Sequence, residues 1–266
     1  MNLDRYAVIG NPVAHSLSPQ IHEEFARQTN QQLKYSRIEA PHDGFESIAR
    51  DFLRKGGCGL SVTAPFKGEA FRWVDKSDEF ARESGAVNAI SRSGDSTEGF
   101  NTDGIGLLQD FVRLGWKITG RRVLVLGAGG AVRGIIGPLI AQGSVLTVAN
   151  RTEKRLVELK AQFPDISTMP LAEVPGDWDM VINATSAHLR STELNVDPHI
   201  FSDARCYDLA YSCDRTTKFV DKARRHGATD AQDGLGMLVF QAACAFGLWR
   251  GVDPDPIRVL EGLRES

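Results

Sequence analysis

The stretch that most constrains the fold is residues 122–131, in which an apolar run leads directly into a cluster of glycines. Residues 123–126 are Val or Leu, which is typical of a parallel strand buried on both faces. Glycines between a strand and a helix let the backbone approach a diphosphate, which the free N–H groups at the helix start then bind. Val132 stands where the strict nucleotide-binding pattern has a third glycine. A tight turn without a ligand therefore stays the alternative here.

Apolar segments of strand length alternate with segments of helical periodicity along the chain, which predicts an α/β fold. We expect Ser18 to cap a helix that has Pro19 in its first position, and we place Lys67 in a loop after a strand. Asn101 or Thr102 can cap a later helix. The predicted strands are 6–9, 35–39, 59–63, 123–126, 145–149, 180–183 and 206–209. Further predicted helices are 43–55, 105–114, 132–142, 152–161, 237–250 and 254–263.

Composition excludes several classes of protein. The 266 residues are 42% hydrophobic and 24% charged, which is ordinary for a globular protein, and the net charge of −3 argues against a nucleic acid partner. The four cysteines form no Cys-x-x-Cys pair, and the six histidines show no spacing typical of metal ligands, so no metal site is expected. The N-terminus lacks the apolar core of a signal peptide, and no apolar run approaches the roughly 18 residues of a membrane span. We therefore expect a cytoplasmic protein, either a monomer or a homodimer, with a small-molecule substrate.

The end of the second strand after the glycines indicates the cofactor. An acid about 20 residues after the glycines favours NAD, whereas an arginine accommodates the 2′-phosphate of NADP. Here the strand 145–149 is followed by Asn150, Arg151 and Thr152, with Arg155 one helical turn further on. Two arginines at a helix start are mildly disfavoured by the helix dipole unless an anion binds there. NADP is therefore preferred over NAD, and solvated arginines without a ligand are the alternative.

Short motifs spread over nearly the whole chain resemble those of the shikimate dehydrogenase family. They are YAVIGNP (6–12), HSLSP (15–19), VTAPFK (62–67), GAVN (85–88), NTDG (101–104), GAGGA (127–131), NRT (150–152), NATS (183–186) and DGLGML (233–238). The resemblance implies an α/β substrate domain (1–103 and 237–266) and a Rossmann-like NADP-binding domain (104–236), with the C-terminal helices returning to the first domain. It also implies reversible, NADP-dependent reduction of 3-dehydroshikimate to shikimate, a step of aromatic amino acid biosynthesis.

The resemblance also implies the roles of individual residues. Hydride delivery to a ketone leaves an oxyanion, so a proton donor must lie beside the carbonyl. By resemblance Lys67 is that donor and Asp103 its partner, although a single lysine after a strand is usually only a solvated side chain. The implied substrate-binding residues are Ser16, Ser18, Ser61, Thr63, Asn88, Asp103, Tyr211 and Gln241. The implied cofactor-binding residues are Glu79, Gly127, Ala128, Gly129, Gly130, Ala131, Asn150, Arg151, Thr152, Arg155, Thr185, Leu209 and Gly234.

Three positions depart from the family pattern and leave the substrate open. Ser61 stands where strict biosynthetic members have an asparagine that bonds substrate hydroxyls, and the loss of one such bond can reduce discrimination substantially. Ala89 replaces the usual threonine after Asn88, and Phe100 resembles the aromatic residue of dual-specificity quinate/shikimate relatives. The alternatives are a diverged paralogue that acts on quinate or another shikimate analogue, and a non-catalytic nucleotide or small-molecule sensor.

Overall fold

The computed structural model describes residues 3–185, 196–212 and 216–265. The chain divides into two compact units, of which the first comprises Met1–Gly106 and Leu238–Glu265 and the second Leu107–Met237. Ser186 of the NATS motif and Cys213 lie outside the described residues. Within the described ranges, no helix has both the length and the apolar character that crossing a membrane requires.

The first unit is built on a mixed sheet. Its strands are β1 (Asp4–Gly10), β2 (Leu33–Glu39), β3 (Gly57–Val62), β4 (Lys76–Ser77), β5 (Ala89–Ser93) and β6 (Ser96–Phe100). In the described residues they are arranged in the order β2-β1-β3-β5-β6-β4, with β1 parallel to β2 and β3. Its helices are α1 (Ser18–Gln28), α2 (Phe45–Arg54), α3 (Lys67–Trp73), α4 (Glu79–Ser84) and α10 (Pro256–Glu265). The boundaries to the second unit fall within α5 (Asp103–Arg113) and α9 (Leu235–Arg250).

Strand β1 is buried because both faces of the sheet are covered. Ala7 and Ile9 belong to one hydrophobic core, whereas Tyr6 and Val8 belong to a second one on the opposite face. This division follows from the period of two in a strand, which sends successive side chains to opposite faces. Residues 6–9 of β1 are all apolar, because side chains on both faces of this strand are buried.

Four aromatic side chains, Tyr6, His22, Tyr35 and Trp249, form a layer on the second of these faces, which we call the aromatic layer. The His22 and Tyr35 rings are stacked with centroids 4.3 Å apart and an interplanar angle of 4°. The Tyr6 and Trp249 rings are stacked at 4.9 Å, and His22 lies 5.2 Å from Trp249. Because His22 lies on α1 and Trp249 on α9, the layer joins both helices to the sheet.

His22 should make the stability of the first unit depend on pH. It is fully buried, neither ring nitrogen has a hydrogen-bond partner within the described residues, and burial lowers its pKa to about 3. Below the unfolded pKa of about 6.5, the histidine of the unfolded chain binds a proton that His22 in the folded protein does not bind. The contribution of His22 to the free energy of unfolding therefore has its full value above about pH 6.5 and decreases as the pH falls towards the folded pKa. Between about pH 8 and about pH 5 the wild type should lose about 2 kcal/mol more of its unfolding free energy than His22→Phe. Urea unfolding at both pH values measures the difference.

His42→Phe provides the control for this prediction, because His42 is exposed and its replacement should leave the pH dependence of the wild type unchanged. An equal loss of stability in the wild type and in His22→Phe would show that His22 is not held neutral in the folded protein.

Two local predictions in the first unit are wrong. Ser18 does not cap α1: it is the first helical residue, and Leu17 takes the cap position without a side-chain hydrogen bond. The Ser18 hydroxyl instead accepts a hydrogen bond from Ser16 Oγ at 3.1 Å. Lys67 is not in a loop, because α3 begins at Lys67, directly after the buried Phe66. For α5 the predicted cap was Asn101 or Thr102. Asn101 Oδ1 accepts the N–H of Asp103 at 3.1 Å, and Thr102 directly precedes the helix, which begins two residues earlier than expected.

The second unit has a parallel sheet. Its strands are β7 (Arg122–Leu126), β8 (Val145–Asn150), β9 (Ser167–Pro170), β10 (Met180–Asn183), β11 (Arg205–Asp208) and β12 (Asp230–Gln232). Its own helices in the described ranges are α6 (Gly130–Ala141), α7 (Glu153–Gln162) and α8 (Lys218–Arg225), and Leu171–Glu173 and Pro198–Phe201 form 3₁₀ turns. In the described residues the strand order is β9-β8-β7-β10-β11-β12. This is the order of the Rossmann fold, in which ligands bind at the carboxyl ends of the strands. The predicted α/β fold class is confirmed.

Candidate active site

Lys67, which is partly buried, forms an ion pair with the buried Asp103 in the first unit. The Lys67 Nζ lies 2.5 Å from Asp103 Oδ2, and the two side chains are 18% and 5% exposed. Both residues are the first of a helix, Lys67 of α3 and Asp103 of α5. The backbone carbonyl of Lys67 also accepts the N–H of Val87 at 2.9 Å, which fixes the start of α3. The lysine ammonium is thus held at a defined place by charge and by backbone contacts.

Asn88, Thr102 and Gln241 complete a hydrogen-bonded group around this pair. Asn88 Nδ2 lies 2.8 Å from Asp103 Oδ1, 2.9 Å from Thr102 Oγ1 and 3.2 Å from Gln241 Oε1. Asn88 Oδ1 accepts the backbone N–H of Thr102 at 2.8 Å. Each oxygen of the Asp103 carboxylate therefore has its own partner, Lys67 on one side and Asn88 on the other. This arrangement leaves the carboxylate little freedom to rotate.

Gln241 reaches this group because α5 and α9 approach closely. A Cβ on Gly106 would lie 2.6 Å from the Gln241 backbone nitrogen, so only glycine fits there. The Gln241 side chain donates to Leu238 O at 2.7 Å, and its backbone carbonyl accepts from Thr102 Oγ1 at 3.0 Å. The amide of Gln241 therefore has polar partners on an otherwise apolar helix, and its role in substrate binding stays a prediction.

Ser16 and Ser18 form a second polar pair, which is 8% and 6% exposed. Ser16 Oγ accepts the backbone N–H of Ser18 at 3.2 Å and donates to Ser18 Oγ at 3.1 Å. The Arg37 guanidinium donates to the Ser16 carbonyl through Nε at 2.8 Å and Nη2 at 2.6 Å. Two hydroxyls supported by a nearby cation suit an anionic group such as a carboxylate.

Ser61 and Thr63 follow each other on the same side of β3 and just beyond its end. Ser61 Oγ accepts a hydrogen bond from the Tyr35 hydroxyl at 2.7 Å. Burial raises the pKa of Tyr35, so its hydroxyl keeps its proton and acts as the donor. The Thr63 backbone donates to Ile9 O at 3.0 Å, and its methyl group occupies the space where a Cβ on Gly10 would lie.

In the second unit, the residues after β7 leave room for a ligand. Gly127 has a φ of 112°, and its added Cβ would lie 2.9 Å from Ala184 O, so a side chain is excluded there on two grounds. A Cβ on Gly129 or Gly130 would meet nothing within 4 Å. Helix α6 begins at Gly130 without a side-chain cap, so its first N–H groups can bind an anion. Val132 is fully buried in the core, which explains how the helix accommodates valine in place of a third glycine.

The turn from β8 into α7 carries two exposed arginines, Arg151 and Arg155. Asn150 Nδ2 donates to Thr152 O at 3.0 Å and so shapes the turn into α7. Thr152 takes the cap position of α7 without a side-chain hydrogen bond. Arg151 and Arg155 are exposed, and neither forms an ion pair with a carboxylate in the part of the chain that the structure describes. Their guanidinium groups are therefore available to an anion near the helix start.

The last residues of β10 and β11, Asn183 and Asp208, are joined by a hydrogen bond. Asn183 Nδ2 donates to Asp208 Oδ1 at 2.8 Å, and Asn183 Oδ1 accepts from Thr185 Oγ1 at 2.8 Å. A Cβ on Gly234 would lie 2.4 Å from Leu209 O, so these two chain segments are in direct contact. The predicted cofactor residues Thr185, Leu209 and Gly234 thus lie at the same edge of the sheet as Gly127 and Arg151, which is where a Rossmann sheet binds its ligand.

The structure leaves some predicted residues outside these groups. Glu79 is the first residue of α4 and is exposed, and Tyr211 is half-buried in the second unit. Sequence reasoning did not assign Thr102, Arg37 or Tyr35 to the site. Thr102 could have been found, because it stands between two assigned residues of the NTDG motif, whereas Arg37 and Tyr35 lie in a strand without any motif. Within the described ranges, no group of three or more His, Cys, Asp or Glu is arranged to hold a metal ion.

Phe100 lines a cavity whose wall also includes Thr102. The cavity has a volume of about 320 Å³, and Phe80, Phe100, Ile105 and Leu248 form much of its apolar wall. Lys67 and Asp103 do not line it. The link between Phe100 and dual substrate specificity therefore stays a prediction.

Comparison with known proteins identifies the family. Residues 8–90 match the shikimate dehydrogenase substrate binding domain, and residues 111–196 match the shikimate / quinate 5-dehydrogenase family. Residues 234–259 match the shikimate 5′-dehydrogenase C-terminal domain.

Individual relatives match over the whole chain. A shikimate dehydrogenase (NADP(+)) of Aromatoleum aromaticum is 47% identical, over 100% of this chain and 99% of that protein. The crystal structure of an Ael1 enzyme from Pseudomonas putida has 41% identity and a TM-score of 0.90, with 98% of each chain covered. Shikimate 5-dehydrogenase from Thermus thermophilus, solved in complex with NADP(H) and shikimate, has 32% identity and a TM-score of 0.88, with 99% of each chain covered.

The fold and the two groups of polar residues define an α/β protein with a substrate domain and a Rossmann-like domain. The chain belongs to the shikimate dehydrogenase family.

Proposed function

We propose that this protein is an NADP-dependent oxidoreductase that catalyses the reversible reduction of 3-dehydroshikimate to shikimate, a step of aromatic amino acid biosynthesis. The observation that carries the proposal is the largely buried Lys67–Asp103 pair, whose Nζ and Oδ2 atoms are 2.5 Å apart and whose carboxylate also accepts from Asn88. It occurs in a chain that is 47% identical over its full length to a shikimate dehydrogenase (NADP(+)). A protein that had lost catalysis would have no need to keep an ammonium in such a constrained and largely buried position.

In the proposed reaction Lys67 transfers the proton. During reduction its ammonium donates to the oxygen of the substrate carbonyl, and in the reverse direction the neutral amine accepts the proton of the alcohol. Asp103 keeps the Lys67 side chain in place through Oδ2. The Asp103 carboxylate itself is fixed, because its Oδ1 accepts a hydrogen bond from Asn88. Gln241 has a second amide proton for a ring hydroxyl. A contact between Asn88 and a ring hydroxyl would replace one of the bonds that its amide forms with Thr102 or Gln241.

Ser16 and Ser18 are proposed to hold the substrate carboxylate. Their hydroxyls are adjacent and buried, and Arg37 adds positive charge beside the Ser16 carbonyl. Ser61 and Thr63 are proposed to contact ring hydroxyls from β3, and Tyr211 to contact the substrate as well. The substrate would thus be fixed through several short polar side chains, which suits a molecule with one carboxylate and several hydroxyls.

The residues at the strand ends of the second unit fit NADP. The start of α6, which has no side-chain cap, and the open space at Gly129 and Gly130 suit a diphosphate. Ala128 lies in the turn before α6, and Ala131 is the second residue of that helix. Asn150, Arg151, Thr152 and Arg155 would bind the 2′-phosphate. Thr185, Leu209 and Gly234, and less directly Glu79, are proposed for the nicotinamide side. When bound, NADPH supplies the hydride, and the protein supplies binding, orientation and the proton.

Ser61 favours a second candidate, which is activity on quinate. Ser61 is shorter than the family's asparagine, and its oxygen already accepts a hydrogen bond from Tyr35. A site with fewer bonds to one ring hydroxyl discriminates less against analogues that differ there. A cytoplasmic location and a monomeric or homodimeric state, which we expect from the sequence, complete the proposal.

Steady-state turnover tests the proposal. We expect NADPH oxidation with 3-dehydroshikimate and NADP reduction with shikimate, and a lower kcat/KM with quinate. Turnover that is faster with quinate would favour the paralogue. If purified, folded protein bound NADPH without turnover of any of the three compounds, it would be a sensor rather than an enzyme.

A further inference from the structure

Tyr35 is joined to Ser61 across an intervening strand. Tyr35 lies on β2 opposite Tyr6 of β1, and Ser61 lies on β3 opposite Val8 of β1. Tyr6 and Val8 are two residues apart and face the same side of the sheet, so Tyr35 and Ser61 face that side as well. The Tyr35 hydroxyl spans the width of β1 and donates to Ser61 Oγ at 2.7 Å.

The Tyr35 ring is held rigidly by its neighbours. It is 4% exposed and is stacked on His22 at 4.3 Å, and the Trp249 ring of the aromatic layer lies 6.4 Å away. A tyrosine has only two side-chain torsions, and a ring that is stacked in this way can place its hydroxyl in one position only. Ser61 Oγ therefore meets a fixed donor rather than a mobile one.

This fixed donor determines what Ser61 can offer to a ligand. A serine hydroxyl has one proton to donate and two acceptor sites. Tyr35 occupies one acceptor site of the Ser61 oxygen. The Ser61 hydroxyl proton can then point away from the aromatic layer and donate to a ligand. An unsupported serine would rotate among three staggered positions, and ordering it upon binding would cost conformational entropy.

We propose that Tyr35 is a positioning residue for substrate recognition: it fixes the Ser61 hydroxyl as a donor to a hydroxyl group of the substrate ring. The pair would take the place of the amide that the resemblance to strict biosynthetic family members leads one to expect at position 61. This inference rests on the proposed function, since it assigns a role within the same substrate site. Tyr35 itself touches Ser61 and not the substrate.

The test compares Tyr35→Phe, Ser61→Ala and the double variant. Tyr35→Phe removes the hydroxyl and keeps the stacked ring. We expect the KM for shikimate to rise about 3- to 10-fold, the range for one hydrogen bond of ordinary strength, with kcat and the KM for NADP unchanged within about 2-fold. In the Ser61→Ala background the same change should have no further effect on the shikimate KM, because Tyr35 then has no hydroxyl to orient.

Tyr6→Phe is the matched control. Tyr6 belongs to the same aromatic layer, but its hydroxyl bonds Arg250 at 3.3 Å and not Ser61. Its loss should leave the shikimate KM within about 2-fold of the wild-type value in both backgrounds. Circular dichroism and thermal unfolding of each variant verify that it is folded.

The outcomes separate the inference from the proposed function. A wild type that turns over shikimate, combined with an unchanged KM in Tyr35→Phe, overturns the inference alone. A rise in KM of equal size with and without the Ser61 hydroxyl also overturns it, because Tyr35 would then act only on the general structure. No turnover of shikimate by the wild type overturns the proposed function and this inference with it.

Discussion

Replacement of Lys67 by methionine is expected to lower kcat for shikimate oxidation by about 10³-fold, within the range of about 10² to 10⁴ for the loss of a general acid or base. Methionine keeps the length and apolar stem of the side chain but cannot carry a proton. The KM for shikimate should change by less than about 5-fold, because the substrate contacts that we propose for Ser16, Ser18 and Gln241 remain. Steady-state kinetics in both directions, over a range of pH, measure both constants.

Two further variants make this result specific. Lys76→Met removes an exposed lysine of the same unit and should leave kcat unchanged. Asp103→Asn retains the size of the side chain but removes the charge that holds Lys67 at 2.5 Å, and it should lower kcat as well, to a smaller extent. If Lys67→Met kept most of the wild-type rate, another group would have to transfer the proton, whatever the family of the protein.

Replacement of Arg151 by alanine is expected to lower kcat/KM for NADPH by about 10- to 100-fold, which corresponds to the loss of charged hydrogen bonds to a phosphate. Arg151 follows β8 and is exposed, with no carboxylate partner in the ranges that the structure describes, so little folding stability depends on it. The same variant should use NADH as well as the wild type does, since NADH has no 2′-phosphate. Initial rates with each cofactor at a fixed concentration of 3-dehydroshikimate give the comparison.

Arg155 allows the contribution of the second cation to be separated. Arg155→Ala should reduce kcat/KM for NADPH less than Arg151→Ala does, because Arg155 lies one turn further into α7. Equal losses with NADPH and NADH in Arg151→Ala would mean that Arg151 supports the adenosine site in general and does not select the phosphate. NADH activity in the wild type above that with NADPH would contradict the cofactor assignment itself.

The regular structure could be predicted where hydrophobic patterning determines it. β10 has the predicted bounds Met180–Asn183, β7 and β8 differ from theirs by one residue at one end, and β11 is shifted by one residue at both ends. These strands were predictable because buried parallel strands form continuous apolar runs. β9 and β12 were not predicted. They are the two edge strands of the sheet, and their sequences, STMP and DAQ, contain few apolar residues, so pairing with β8 and β11 determines them.

Some residues of the candidate site could be predicted from the sequence motifs, whereas the hydrogen bonds between them could not. Lys67, Asp103, Asn88 and Gln241 were assigned by resemblance, and the structure joins them by hydrogen bonds, although their roles stay predictions. The Tyr35–Ser61 bond could not be predicted, because it depends on the register of two strands with a third between them. A shift of one residue in either pairing would turn one of these side chains to the opposite face.

Most of helix α9 belongs to the first unit, but it is synthesised only after the whole second unit. Trp249 donates to Ile90 O at 3.0 Å, and Arg250 lies 2.5 Å from Asp4 of β1, so α9 closes one face of a sheet whose strands are synthesised before the whole second unit. Before α9 is synthesised, the sheet face that carries Tyr6, Val8 and Tyr35 lacks the cover of that helix. An exposed apolar sheet face of this kind promotes aggregation. Chains cut short before α9 would lack Gln241 and would expose that face. A pause in translation between the second unit and α9 should therefore lower the yield of folded protein.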